Sequence, residues 1–171
     1  MFNHGHGAGV RAFGGGHAMS NAAERPYAGH ALIRVQPSGK VRLPDFARRV
    51  LERHPSTIFI GLHPALPCLI AFDGRYQQRL SEEISGETAG GERQARMRRV
   101  FGTTQEMGWP CDHLRLPDLA RRKAMIAARA LFVGIGGAME IWDPQLAAQS
   151  GDEVLEELAA LHLDGAQAQA G

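Results

Sequence analysis

Apolar and polar positions along the chain follow two periods, and the order in which the periods change occurs twice. Positions 30–35 (HALIRV) and 40–43 (KVRL) are short, apolar-rich runs of strand length. Pro44-Asp45 then opens a helix, because proline suits first-turn geometry and an acid suits the positive end of the helix dipole. Phe46 and Val50 fall on one face of that helix, with Arg48, Arg49, Glu52 and Arg53 largely outside it. Positions 57–62 and 68–72 are again strand-like, joined by a proline-containing loop. The order strand, strand, short helix, strand, strand returns downstream and ends with strands at 131–135 and 138–142 around a tight Gly136-Gly137 turn. Helical segments follow each set: 75–84, then 92–100 beyond an SGETAGG linker, and 145–163 at the end.

The two sets are copies. RLPDFARR at 42–49 returns as RLPDLARR at 115–122, an interval of 73 residues, and the same interval carries IFIGL (58–62) onto LFVGI (131–135). The interval then shortens to 70, because HPALPCLIAFD (63–73) stands against GGAMEIWD (136–143). A length change confined to a connecting loop is what duplication followed by drift produces, since loops absorb insertions at small entropic cost. The implied division is an N-terminal extension 1–27, a first unit with its trailing helix 28–84, a linker and helix 85–101, a second unit with its C-terminal helix 102–163, and a tail 164–171. The Gly-rich extension, with His4, His6 and His17, and the tail are both expected to be disordered. Units of this size are near the lower limit for independent folding, so a shared core is expected.

Composition narrows the function classes. With 44% hydrophobic residues the 171-residue chain can bury a core, and no apolar run reaches the ~18 residues of a membrane span. Cys68 and Cys111 sit in no metal or redox spacing, which points to a cytoplasmic protein with reduced thiols. The net charge of +1 conceals an asymmetry: residues 1–143 hold 19 basic and 13 acidic side chains, whereas residues 144–171 hold five acidic ones and no Lys or Arg. A polyanion would therefore meet the body and avoid the C-terminal end. The glycines of GIGG (134–137) precede a strand, not the helix N-terminus that a phosphate loop requires, so they mark a hairpin. No nucleophile–base pair, carboxylate pair or metal-ligand spacing emerges, and no enzyme, cofactor, metal or small-molecule ligand is expected.

Three stretches carry a family resemblance: the doubled glycine-basic-x-x-Leu-Pro segment, PCLIAFD (67–73), and VGIGGAMEIWDPQ (133–145), which is similar to a G-x-G-x-x-x-E-I-W hairpin. Over about residues 28–163 the chain resembles MraZ, a bacterial transcriptional regulator associated with the division and cell-wall gene cluster. The resemblance implies an α+β, mainly β fold: two tandem AbrB-like units forming a pseudo-twofold swapped-hairpin β-barrel with appended helices. It also implies a ring-shaped homo-oligomer that binds double-stranded DNA at promoter repeats, in a cytoplasmic, nucleoid-associated protein. The family's D-x-x-x-R motif is altered in both units. The first has Gln36-Pro37-Ser38-Gly39-Lys40, and the second has Trp109-Pro110-Cys111-Asp112-His113.

Basic residues nevertheless occur at equivalent places. If 40–43 is extended, Lys40 and Arg42 share the face opposite Val41 and Leu43, and His113 and Arg115 share the corresponding face of the second unit. Lys40, Arg42, His113 and Arg115 are thus the candidate DNA-binding residues, with lysine meeting a phosphate as a point charge and histidine contributing only when protonated. On the competing reading, these side chains merely solvate a sheet edge, and the chain is an MraZ-like paralogue that serves as an oligomeric protein-interaction scaffold. Arg48-Arg49, Arg121-Arg122 and the Arg93, Arg96, Arg98 and Arg99 cluster are expected on solvated helix faces, and Trp109 and Trp142 as packing anchors.

Overall fold

A computed structural model of the chain describes residues 26–86 and 90–168. The first unit contains β1 (His30–Arg34), β2 (Lys40–Arg42), α1 (Asp45–Arg53), β3 (Ile58–Leu62) and β4 (Leu69–Asp73), followed by α2 (Gly74–Ser85) and α3 (Gly91–Phe101). The second contains β5 (Gln105–Met107), β6 (His113–Arg115), α4 (Asp118–Lys123), β7 (Arg129–Gly134) and β8 (Ala138–Trp142), followed by α5 (Pro144–Ala147) and α6 (Glu153–Ala168). Both octets therefore run from a strand through Leu-Pro into a helix, as their near-identity leads one to expect. The loop difference is also present, with residues 63–68 joining β3 to β4 against 135–137 joining β7 to β8.

The strands form one antiparallel six-stranded sheet, ordered β1-β7-β8-β4-β3-β5, and a separate β2-β6 ribbon. Exchanging the two units leaves this scheme unchanged: β1 lies on the other unit's β7, β5 on the other unit's β3, and β4 pairs with β8. In the central pair the register obeys the same exchange, with Leu69 opposite Ile141 and Ala71 opposite Met139. The units are thus interleaved, and neither completes its sheet alone.

Two expectations of fold need correction. The strands do not close into a barrel: β1 and β5 are the free edges of the large sheet, and among the described residues the ribbon's backbone is joined to it by a single bridge, Val35–Val41. With β2, β5 and β6 only three residues long, too few backbone pairs are available to carry the hydrogen bonding around a closed circuit. The fold is α+β, with more residues in helices than in strands, and so is not mainly β.

Alternation along the strands explains the layering. Ile33, Phe132, Ile141, Ala71 and Ile60 face a core shared with Val41, Leu43, Leu114, Leu116 and the apolar faces of α1 and α4. Leu131 and Trp142 face the other way, under α5 and α6, while Ile70 and Phe72 pack under α2 and α3. Burial on both faces is why LIAFD and most of IFIGL are continuous apolar runs without alternation. Asp73 and Asp143, at matching ends of β4 and β8, each accept two backbone N–H bonds from the helix that follows.

The ends also depart from expectation. Residues 1–25, with the three histidines, lie outside the described residues, but Tyr27, assigned to the extension, is buried and exchanges two backbone hydrogen bonds with Gly136. The segment expected as one helix over 145–163 is broken at 148–152. There Asp152 accepts from the Leu155 N–H, and α6 continues to Ala168. Among the described residues no helix is long and apolar enough to cross a membrane.

The longer loop of the first unit holds a half-buried histidine. The His63 Nδ1 accepts hydrogen bonds from the N–H groups of Ala65 and Leu66, at 3.1 and 2.9 Å, which leaves the ring proton on Nε2 facing Glu140 at 3.8 Å. Burial, with Arg99 and Arg96 nearby, outweighs that carboxylate and pushes the His63 pKa down from 6.5 to about 4. The unfolded chain therefore takes up a proton that the folded chain refuses, and stability falls with pH from about 6.5 down to about 4. Between pH 7.5 and pH 5 this loss is expected to be about 2 kcal/mol in urea unfolding. His63→Asn, whose Oδ1 takes the place of Nδ1 as acceptor for both N–H groups, should remove most of it; an unchanged pH dependence in that variant would clear His63 of the effect.

Candidate nucleic-acid interface

Strand geometry brings the four basic positions together. In β2 and in β6 the middle residue points inward, with Val41 and Leu114 essentially inaccessible, so the flanking residues point out. Because β2 pairs with β6, Lys40 stands directly opposite Arg115 and Arg42 opposite His113. All four side chains are exposed on one face of a two-stranded ribbon, two from each unit. The sequence alone placed a basic pair in each unit, and the ribbon joins the pairs into one patch.

The ribbon is held by bonds that cross between units. The Leu43 N–H donates to the Asp112 carbonyl at 3.0 Å, and its equivalent, the Leu116 N–H, donates to the Gly39 carbonyl at 2.9 Å. Gly39 turns the chain into β2 with a φ of +79°, and a Cβ there would come 3.0 Å from the Leu116 carbonyl oxygen. A side chain at this position would meet both left-handed strain and backbone crowding. Retention of glycine in the altered first motif therefore has a local cause.

Electrostatically the patch is uneven. Arg42 donates to Asp45 Oδ1 at 3.2 Å, with both side chains well exposed, so the pair is weak and solvent-screened. Among the described residues neither Lys40 nor Arg115 has a carboxylate partner. Like charges directly opposite one another in a ribbon are destabilising, and an anion laid across them relieves that repulsion.

Two of the helix arginines have a different task from the one expected. Arg48 donates to Asp112 Oδ1 at 2.7 Å, reaching from α1 of the first unit to the turn before β6 of the second. Its equivalent Arg121, from α4, leans toward the Pro37 carbonyl at 3.4 Å and Asp118 at 4.0 Å, because Gly39 stands where Asp112 would be. Both are largely covered, and they tie the units together. Arg49 and Arg122 stay on the solvated face. The signal in the sequence was Asp112 itself, the one acid in the second altered motif, at the position that Gly39 holds in the first.

The remaining candidates are structural. The Arg99 guanidinium donates to the carbonyls of His63 and Leu66, at 2.7 and 2.9 Å, and so pins the longer loop to α3. Trp142 is buried with Nε1 donating to Glu140 at 2.8 Å, and Trp109 packs partly buried against the shared core. Cys68 is buried, its thiol pushed far up by burial. The Cys111 thiol is also raised, by burial first and the Asp112 charge second. In each, burial and a carboxylate outweigh a nearby arginine, Arg99 for Cys68 and Arg48 for Cys111, so neither is held as a reactive thiolate. The Gly136-Gly137 turn joins β7 to β8, with Gly136 paired to Tyr27 by two backbone hydrogen bonds and Gly137 lying against Tyr76 and Arg79. No model of a known protein family matches the chain, and no curated protein sequence matches it.

Proposed function

We propose that this chain is a DNA-binding transcriptional regulator of the MraZ type, acting through two AbrB-like units as a ring-shaped oligomer on promoter repeats. The observation that carries the reading is the β2–β6 ribbon, whose outer face consists of Lys40, Arg42, His113 and Arg115, with two residues from each unit. A two-stranded ribbon fits the major groove of B-DNA. Lys40 meets a phosphate as a point charge, whereas Arg42 and Arg115 offer forks suited to a phosphate or a guanine edge. Three or four such contacts per protomer are weak alone. An oligomer engaging successive repeats gains affinity through effective concentration. Interleaved strands that pair across units, in a pattern unchanged by exchanging them, favour a swapped-hairpin relationship between the units.

The test is a mobility shift on the DNA upstream of the chain's own gene at several salt concentrations, expecting binding that weakens steeply with salt. His113→Arg should tighten that binding at pH 8, where arginine stays charged, and steepen the log–log salt slope by about 0.9 for each engaged protomer. An unchanged slope would remove position 113 from the contact face. The second reading, an oligomeric interaction scaffold, is favoured by the Arg42–Asp45 pair, which already occupies one basic side chain. Absence of binding to that upstream DNA even at low salt would select it.

A further inference from the structure

Two apolar patches are left open on opposite parts of the fold, and their charges are complementary. Leu66, Ile135 and Val154, between 39% and 66% exposed, line a groove of about 410 Å³ between the 63–68 loop, the β7–β8 turn and the start of α6. Its edge is acidic: Asp152 lies in the lining, and Glu153 and Glu156 stand in the first turn of α6, while Glu140 is largely covered and engaged by Trp142. The nearby Arg99 is turned inward to two loop carbonyls. The second patch is on α4, where Leu119 (50% exposed) shares a helix face with Arg122 and Lys123, and Met125 (66% exposed) follows at the helix end.

Both side chains of the second patch are unusual for an unpartnered surface. Leu119 is the octet equivalent of Phe46, which is buried beneath the Gly29 segment; a Cβ on Gly29 would come within 3.2 Å of that ring. The same helix position is covered in the first unit and open in the second. Met125 adopts a φ of +58° in the turn that ends α4, its N–H donating to the Arg122 carbonyl at 3.2 Å while the Ile126 N–H donates to Arg121 at 3.0 Å. Glycine is the usual occupant of that left-handed position. The fold therefore carries backbone strain to display a methionine that does nothing for its own core.

We propose that the α4 patch of one copy docks in the acidic-edged groove of the next, so that the chain self-associates head to tail. Apolar side chains fill apolar groove, and Arg122 and Lys123 meet the Asp152, Glu153 and Glu156 rim. Because the two surfaces differ, the contact is heterologous, and repeating it yields a ring when the rotation closes. The complementarity also follows the division of charge along the chain, between a basic body and a C-terminal end without Lys or Arg. This contact deepens the assembly half of the function proposed above and is independent of the DNA half.

The experiment measures the mass of the full chain by light scattering and sedimentation. A groove variant, Ile135→Glu with Val154→Glu, and a patch variant, Leu119→Glu with Met125→Glu, change only exposed positions and should each remain folded and become monomeric. Mixed in equal amounts they should form a dimer and stop there, because the groove variant retains its patch and the patch variant its groove. Met125→Gly should weaken assembly while holding or raising Tm, separating a lost contact from a damaged fold. Folded variants that stay assembled, or a mixture that stays monomeric, would overturn the head-to-tail contact. A wild type that is monomeric at micromolar concentration would overturn the contact and the assembly reading together, leaving DNA binding to be judged by its own assay.

Discussion

Leu43→Ala and Leu116→Ala are each expected to destabilise the fold by about 3–5 kcal/mol, the range for emptying a fully buried leucine site. Both side chains are inaccessible, and both belong to the one core shared by the sheet, the ribbon and the two octet helices. That is a large share of the roughly 5–15 kcal/mol by which domains are stable, so midpoints in urea should fall sharply and by similar amounts for the two variants. The next matched pair should split. Phe46→Ala removes a ring that is 7% exposed, whereas Leu119→Ala removes a side chain that is 50% exposed and should change monomer stability by no more than about 0.5 kcal/mol. Equal losses at 43 and 116 with unequal losses at 46 and 119 are the signature of two copies folded alike and covered differently. A Leu43→Ala loss several times that at Leu116, or a severe loss at Leu119, would break the equivalence.

Replacing Lys40, Arg42 and Arg115 together by alanine is expected to have the largest effect on function. Each phosphate contact contributes about 0.9 to the slope of log affinity against log salt, so the variant should be shallower by about 2.7 per engaged protomer and weaker at every low-salt point. Stability should change little, since all three side chains are exposed and the inward partners Val41 and Leu114 are untouched. If the surface pair matters, Arg42→Ala alone should be the mildest single change, because Asp45 already competes for that guanidinium. Wild-type affinity in the triple variant across a salt series would show that the ribbon is not the contact face.

Much of this protein was determined by short-range pattern. The repeated octet, the strand–helix order and the loop-length difference all rest on local rules: side-chain alternation in strands, proline and acid at a helix start, and a glycine turn between apolar runs. Inward Val41 and Leu114 made Lys40, Arg42, His113 and Arg115 outward, so each basic pair was legible before any fold was known. What lay beyond reach was set by contacts between residues far apart in the chain. The pairing of β2 with β6, which makes one patch from two pairs, depends on a register 73 residues away. Arg48 and Arg121, read as solvated helix charges, are drawn between units because the opposite turn presents Asp112 to one and a bare carbonyl to the other. Octets that differ only in Phe46 against Leu119 could not foretell that the first is covered and the second open, since the cover comes from outside the repeat. Nor could they foretell an open sheet in place of a barrel. Local sequence sets which face of an element is apolar; which element meets that face is a choice made by the whole chain.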